Sequence, residues 1–180
     1  FLNEMGAAVA GISEQGGSIQ GQEIPIFGGK QILDDEGWGL LTDGIGGLAQ
    51  IADEYGISLT YHHHMGTVVQ TIEETRRLLD STREEDLGLL YDTGHFAFGG
   101  EDHIAALKEF LPRVKHVHLK DVRKNILSRV KSDKMSFLKA VLSGAFTVPG
   151  DGDLAYEPVF DLLESGGFSG WMVVEAEQDP

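Results

Sequence analysis

Short apolar runs alternate along the chain with longer amphipathic segments, and this alternation limits the folds that the chain can adopt. Five short runs are predicted to be β-strands, namely Ala7–Glu14, Ile57–His64, Leu87–Asp92, Val114–Leu119 and Trp171–Glu175. The segments between them carry apolar residues at helical spacing, namely Leu40–Tyr55, Thr71–Leu79, Asp102–Leu111, Ser132–Leu142 and Pro158–Ser165. Such alternation predicts right-handed crossovers and a parallel sheet in an α/β fold.

Two parallel architectures fit this pattern: an open doubly wound sheet and a (β/α)8 barrel. The glycine signature of a dinucleotide-binding open sheet, G-x-G-x-x-G directly after the first strand, is missing. Instead, nearly every predicted strand finishes in polar residues that suit chemistry: His62–His64, Asp92 and His95, His116 and His118, Glu175 and Glu177. In a parallel barrel all these strand ends meet at one face, so the sequence favours a TIM barrel.

The length predicts only part of such a barrel. A complete eight-stranded barrel takes about 200 to 250 residues, whereas five strands are predicted within the 180 residues. The chain begins at Phe1 without a methionine and ends at Pro180, just past a strand. We therefore expect residues 1–180 to form a single domain, the later part of a barrel, with the N-terminal strands and the final helix absent. Exposed apolar edges would then favour a homo-oligomer.

Charge and composition narrow the partners. The formal net charge is −15, from 14 basic and 29 acidic residues, so phosphate backbones would repel the chain and no nucleic-acid partner is expected. Absence of cysteine excludes thiolate metal sites and a cysteine nucleophile. No apolar stretch approaches the roughly 18 residues of a membrane span, and no leader is recognisable, so a cytoplasmic location is expected. A small molecule is the expected partner.

Side-chain alternation along the strands indicates a metal site. His116 and His118 share one face of their strand, as do Glu175 and Glu177. One inward carboxylate or imidazole per strand suits a divalent cation with oxygen and nitrogen ligands, and Mn²⁺, Co²⁺, Fe²⁺ and Zn²⁺ are all compatible. Structural roles remain open for a buried His63, for Asp92 as the cap of the following turn, and for His116 as a packed second-layer residue. A structural role is least attractive for Glu175, because an inward carboxylate after four apolar residues needs a cation or another partner.

The loop Phe146–Asp153 contains Pro149, Gly150 and Gly152 just before the last predicted helix. It is either a turn held by Asx hydrogen bonds or the rim of a substrate pocket. No flanking lysine supports a phosphate site, so an uncharged, hydroxyl-rich substrate is preferred.

Several longer motifs occur in order along the chain: Tyr61–Thr67, Tyr91–His95, Lys115–Asp121, Val148–Asp153 and Val174–Pro180. Together they closely resemble the inosose dehydratase family of inositol catabolism, within the xylose-isomerase-like TIM-barrel superfamily. The resemblance is strong from Ile57 to Pro180. It is looser near the start, where Ser13–Gln15 and Gly17–Gly21 look like the loop after the family's fourth strand.

This resemblance implies removal of water from inosose (2-keto-myo-inositol), giving a trihydroxycyclohexane-dione, with Mn²⁺ or Co²⁺ as cofactor. Superfamily members bind the cation with two Glu, one Asp and one His. Asp92, His118 and Glu175 match three of these ligands, and the remaining glutamate position falls on Gln70. A neutral amide could donate an oxygen but could not act as a base, so the fourth ligand and the base remain open.

Further roles follow as a hypothesis from the shared position at the strand ends. We predict catalytic roles for His64, His95, Glu177 and Glu175, and substrate contacts for His62, Lys120, Arg123 and Asp151. Lys120 would either polarise a substrate oxygen or pair with Asp121. Two alternatives stay open: a metal-dependent ketose isomerase or epimerase on the same scaffold, which Gln70 disfavours, and an inactive metal-binding fragment.

Overall fold

The computed structural model describes residues 1–177, so the last three residues of the motif Val174–Pro180 lie outside the described part. Five parallel strands form one sheet in the order β1-β2-β3-β4-β7. They are β1 (Val9–Ile12), β2 (Ser58–His62), β3 (Gly88–Asp92), β4 (Val114–Leu119) and β7 (Trp171–Val174). The five predicted strands and their parallel arrangement are therefore confirmed. Two short strands, β5 (Asp121–Val122) and β6 (Phe146–Thr147), form a separate antiparallel pair that was not predicted.

The helices within residues 1–177 are α1 (Asp35–Glu54), α2 (Ile72–Asp80), α3 (Thr93–Gly99), α4 (His103–Phe110), α5 (Lys124–Ser132), α6 (Phe137–Leu142) and α7 (Glu157–Ser165). The capping box predicted at the start of α2 is present, because the Thr71 hydroxyl accepts a hydrogen bond from the Glu74 backbone and the Glu74 carboxylate accepts one from the Thr71 backbone. The predicted helix Ser132–Leu142 is wrong in its first half, since Lys134 has a φ of 52° and Ser136 caps a new helix.

Alternation along β3 and β4 separates the core from the site. Leu89, Tyr91, Val117 and Leu119 face the helices, where they pack against residues such as Phe96 of α3. The intervening residues, among them Asp92 and His118, therefore face the opposite side of the sheet. Because these apolar residues are buried against α3, α4 and α7, the polar residues that alternate with them must face the other side of the sheet.

Apolar side chains are exposed at both ends of the sheet. Those of β7, Trp171–Val174, are 39 to 74% exposed, and on the β1 side Leu40 and Ile51 of α1 are 70% and 57% exposed. Each of β1 and β7 pairs with a single strand among the described residues. No helix in residues 1–177 has the length and apolar character needed to cross a membrane.

Candidate metal and acid–base site

The carboxyl ends of β2, β3, β4 and β7 bring eight polar side chains together: His62, His64, Asp92, His95, His118, Lys120, Glu175 and Glu177. Sheet register explains this grouping. Asp92 lies opposite His118 in the β3–β4 pairing, and His118 lies opposite Val173 in the β4–β7 pairing. Residues that are far apart in sequence therefore reach one end of the sheet on the same face.

Asp92 is at the centre of the group and is fully buried. Its Oδ1 accepts a hydrogen bond of 2.8 Å from the backbone nitrogen of His95 and so caps α3. Its Oδ2 lies 3.2 Å from His62 Nε2 and 3.6 Å from His118 Nδ1. Burial alone would raise the pKa of Asp92, but the nearby Lys120 ammonium and the imidazole contacts hold that pKa well below its usual value. Asp92 is thus a carboxylate that both caps a helix and faces the imidazoles.

His118 and Glu175 meet beside Asp92. Nδ1 of His118 lies 3.0 Å from Oε2 of Glu175, and the two buried atoms are not aligned for a hydrogen bond, although Oε2 also lies 2.9 Å from the Lys120 ammonium. Burial opposes the imidazolium, but Asp92 and Glu175 raise the pKa of His118 to about 9. Burial would likewise raise the pKa of Glu175, but His118 and Lys120 lower it to about 2. Donor atoms that converge without bonding one another are typical of a ligand set.

Two overlapping groups have their potential ligand atoms within 4.8 Å of one another: His62, Asp92 and His118, and separately His62, His64 and His95. The first group contains a carboxylate and adjoins Glu175. The second contains imidazoles alone and therefore lacks the negative charge that attracts a divalent cation, while the Lys120 ammonium lies close to both groups. The first group is therefore the better candidate for a metal ion.

Gln70, predicted as the fourth metal ligand, is placed elsewhere. Its side-chain oxygen accepts a hydrogen bond of 2.8 Å from the backbone nitrogen of Gly66, within the turn that leads to α2. No contact in residues 1–177 joins Gln70 to Asp92. His62, which was predicted to contact substrate, has its Nε2 3.2 Å from the Asp92 carboxylate. The two-residue alternation of β2 could have indicated this, because it places His62 on the same face as Thr60.

Lys120 is only 1% exposed and lies among acidic groups. Its Nζ is 2.6 Å from Glu177, 2.9 Å from Glu175 and 3.6 Å from Asp92, and it sits 5.0 Å above the centre of the Phe146 ring. Burial opposes the ammonium, but the three carboxylates raise the pKa of Lys120. The predicted alternative of a Lys120–Asp121 pair is wrong, because the Asp121 carboxylate binds backbone N–H groups instead.

Glu177 combines an unusual backbone with an altered acidity. Its φ is +42°, in the left-handed region that is uncommon for a residue with a side chain. Burial raises the pKa of Glu177, although Lys120 acts in the opposite direction. Of the two glutamates that contact Lys120, Glu177 is therefore the stronger base.

The remaining imidazoles are neutral. Burial, followed by the neighbouring His62, lowers the pKa of His64 to about 3. Nδ1 of His64 lies 3.1 Å from the carbonyl oxygen of His62, which can only accept, so Nδ1 carries the proton and Nε2 has a free lone pair. Burial and the Lys120 charge also lower the pKa of His95. His63 has the structural role left open above: it stacks on Phe96 and accepts a hydrogen bond from the Asp92 backbone.

Arg123 and Asp151, both predicted to contact substrate, pair with each other at 2.6 Å. Arg123 also binds Thr147 and the carbonyl oxygen of Gly144, so Arg123 and Asp151 together connect strand β6 to the loop that follows it. No contact in the described part of the chain joins either residue to Asp92. A cavity of about 380 Å³ does open beside the group, and its lining includes His62, His64 and His116. The half-buried ring of His116 lies 5.4 Å from that of His118.

Known proteins resemble this chain in sequence and in fold. A family model described as "Xylose isomerase-like TIM barrel" matches residues 3–180. The chain is 55% identical over 181 residues to an inosose dehydratase of Clostridium perfringens and 54% identical to one of Geobacillus thermodenitrificans. In both cases the match covers all of this chain but only 61% of the relative, so the chain spans about three fifths of the length of these relatives.

Solved structures agree in fold. A crystal structure of the IOLI protein with a binding zinc atom superposes with a TM-score of 0.69 at 20% identity, over 98% of this chain and 56% of that one. A probable 3-DHS dehydratase, AsbF of Bacillus anthracis, gives a TM-score of 0.72 at 12% identity, over 98% and 60% of the two chains. The five parallel strands and their helices are part of such a barrel, as the strand ends predicted.

Proposed function

The chain belongs to the xylose isomerase-like TIM barrel family, and on that premise we propose that Asp92, His118 and Glu175 hold a divalent metal ion, with His62 as the fourth side chain. The observation that carries the proposal is the convergence of buried His118 Nδ1 and Glu175 Oε2, 3.0 Å apart and unaligned, beside the Asp92 carboxylate. An ion between them would occupy the His118 nitrogen, which has no hydrogen-bond partner among the described residues, and would share the Glu175 oxygen with Lys120.

The donor set suits several ions. Two carboxylates with two imidazoles accept Mn²⁺, Co²⁺, Fe²⁺ or Zn²⁺. We propose Mn²⁺ or Co²⁺ from the resemblance to inosose dehydratases. Zn²⁺ follows as a competitor, because the IOLI protein, a barrel of similar fold, binds a zinc atom.

We further propose that the protein takes part in the dehydration of inosose, a small polyol ketone, to a trihydroxycyclohexane-dione. The two relatives at 54 and 55% identity carry the name inosose dehydratase, and this chain spans 61% of each. A bound divalent ion would supply Lewis-acid polarisation of the ketone oxygen. The remaining steps fall to side chains of this chain.

Glu177 is the proposed base. Its pKa is raised, whereas that of Glu175 is lowered, so Glu177 takes the proton from the carbon next to the ketone more readily. The C–H electron pair forms the new carbon–carbon double bond as the bond to the β-hydroxyl breaks. Lys120 donates a proton to the departing hydroxide, which leaves as water, and Glu177 returns the abstracted proton to Lys120 across 2.6 Å. The resulting enol becomes the dione by moving a proton from oxygen to carbon.

His64 and His95 are proposed to orient the ring hydroxyls. Both are neutral, and Nε2 of His64 has a lone pair free to accept a hydrogen bond. Neutral imidazoles suit an uncharged polyol, since they bind hydroxyls without adding a charge to a site that already holds Lys120 and an ion.

The test compares two histidines of one strand. His118→Ala should lose the metal measured by elemental analysis after dialysis, while His116→Ala, changed on the same face of β4, should retain it.

Turnover is measured on the 180-residue chain with inosose and Mn²⁺ by following the absorbance of the dione. Metal retained by His118→Ala would refute the ligand set. Exchange of the substrate's carbon-bound hydrogen with solvent, without dione, would indicate an isomerase or epimerase instead.

A further inference from the structure

Asp121 is a fully buried carboxylate that no cationic side chain of residues 1–177 contacts. Its oxygens accept four backbone hydrogen bonds. Oδ1 receives those of Val122 (2.8 Å) and Leu154 (3.0 Å), and Oδ2 those of Gly150 (3.0 Å) and Gly152 (3.3 Å). A buried charge needs such compensation, so the carboxylate and these N–H groups fix each other's positions.

Three of these donors belong to the loop Val148–Leu154, which follows β6. The shape of the loop is fitted to Asp121: a Cβ at Gly152 would lie 2.3 Å from Oδ1 of Asp121 and 2.7 Å from the carbonyl oxygen of Val122. Gly150 has a φ of +89°, which favours glycine. The loop therefore closes directly over the carboxylate.

On the strand side, Asp121 follows Lys120, whose backbone is held by Thr93. The Thr93 hydroxyl accepts a hydrogen bond of 2.9 Å from Lys120 N and donates one of 2.7 Å to Lys120 O. Val122 pairs with Phe146, whose ring lies 5.0 Å from the Lys120 ammonium and 5.3 Å from the His95 ring. Asp121 thus connects the loop, the antiparallel strands β5 and β6, and the chain segment after β4 that carries Lys120.

We propose that Asp121 is a positioning residue. By binding the loop Val148–Leu154 it keeps the Lys120 ammonium and the Phe146 ring in one arrangement, without touching substrate or metal itself. The inference rests on the proposed function only in that Lys120 acts there as a proton donor. The proposal also gives the loop Val148–Leu154 a role: it holds in place the chain segment after β4 that carries Lys120.

The test is Asp121→Asn with Asp153→Asn as its matched control. Asparagine keeps the shape of Asp121 but replaces one oxygen by an NH₂ group, which would face two N–H donors, so two of the four hydrogen bonds are lost in either orientation. Asp153 is an exposed acid of the same loop, and the one hydrogen bond that its carboxylate accepts within residues 1–177, from Lys124 N at 2.7 Å, can be kept by an asparagine oxygen.

Native-state acetylation with acetic anhydride, read by mass spectrometry, reports on Lys120 directly. The exposed Lys115 of β4, the strand that precedes Lys120, serves as the internal reference. We expect Asp121→Asn to raise the relative labelling rate of Lys120 about tenfold, and Asp153→Asn to leave it within about twofold. A lower melting temperature with unchanged Lys120 labelling would mean a merely structural role and would overturn the proposal.

A second variant covers the case in which Asp121→Asn does not fold. Gly150→Ala meets no atom within 4 Å and strains only the positive φ of the loop, so a smaller rise, about threefold, is expected. An unchanged labelling rate of Lys120 would contradict the proposal that the loop holds Lys120 in place. With inosose and Mn²⁺, Asp121→Asn should lower kcat about tenfold at unchanged metal affinity, and an unchanged kcat would count against positioning. If the unmodified chain shows no turnover, the proposed function fails while labelling still decides the role of Asp121.

Discussion

Replacing Lys120 by methionine tests the charge balance of the site. Methionine has a similar length and no charge, so Lys120→Met leaves Asp92, Glu175 and Glu177 without their shared cation. Removing one partner of a buried ion pair costs about 3 to 5 kcal/mol, because the other charge stays buried. The Glu175 and Glu177 side chains are 38% and 29% exposed, so water offsets part of this cost. We expect a loss of about 2 to 3 kcal/mol in the free energy of unfolding at pH 7.

The loss of stability in Lys120→Met should depend on pH in a definite direction. Lys120 helps to hold the folded-state pKa of Glu175 at about 2, below the unfolded value of 4.5. Such a group contributes stability above the unfolded pKa and loses it as the pH falls towards the folded pKa. The difference between the unmodified chain and Lys120→Met should therefore narrow as the pH falls from 4.5 towards 2.

Urea unfolding of metal-free protein, followed by circular dichroism, measures both effects. Lys115→Met is the matched control, since Lys115 is an exposed lysine of β4, the strand that precedes Lys120, and it should change the free energy of unfolding by less than about 0.5 kcal/mol. If Lys120→Met is as stable as Lys115→Met at pH 7, or if the difference widens on acidification, the assignment of Lys120 as the shared cation is refuted.

Three further predictions concern the metal, the loop and the sheet edges. Because a metal ion must displace the proton held by His118 at a pKa of about 9, metal affinity measured by calorimetry should rise about tenfold per pH unit from pH 7 to 9; a flat profile would exclude His118 as a ligand. Gly152→Ala should lower the free energy of unfolding, because the added Cβ would contact the Asp121 carboxylate. Gly46→Ala in α1, where a Cβ meets no atom within 4 Å, should raise the free energy of unfolding by up to about 1 kcal/mol. Equal changes in the two variants would contradict the loop geometry. Light scattering should find a species larger than the 19.6 kDa monomer, and Trp171→Lys at the exposed β7 should shift it towards the monomer; a monomeric unmodified chain would refute the predicted homo-oligomer.

Local features were predictable because neighbouring residues decide them. The α2 capping box needs only Thr71 and Glu74, and the apolar runs of the five strands show in the sequence before any partner is known. Helix α3 was missed because it follows β3 without a loop, so that Asp92 is at once the last strand residue and the helix cap. The basic segment Arg123–Lys134 indicates a solvated helix face, and helix α5 does form there, but only packing shows that Leu127 and Val130 on its other face are buried.

By itself, the sequence determined that polar residues would end successive parallel strands, and hence that a site would lie at that end of the sheet. Only the tertiary structure decided which of them meet. It placed His62 rather than Gln70 beside Asp92, and it turned Lys120 towards Glu175 and Glu177. The physical reason is twofold. Strand order and register set the distances between these side chains. Each buried charge also needs a compensating partner, and the fold decides which charged groups or N–H donors lie close enough to act as one. Asp121 illustrates the second effect: backbone N–H groups of a loop about 30 residues away satisfy it, so the adjacent ammonium is left to the site.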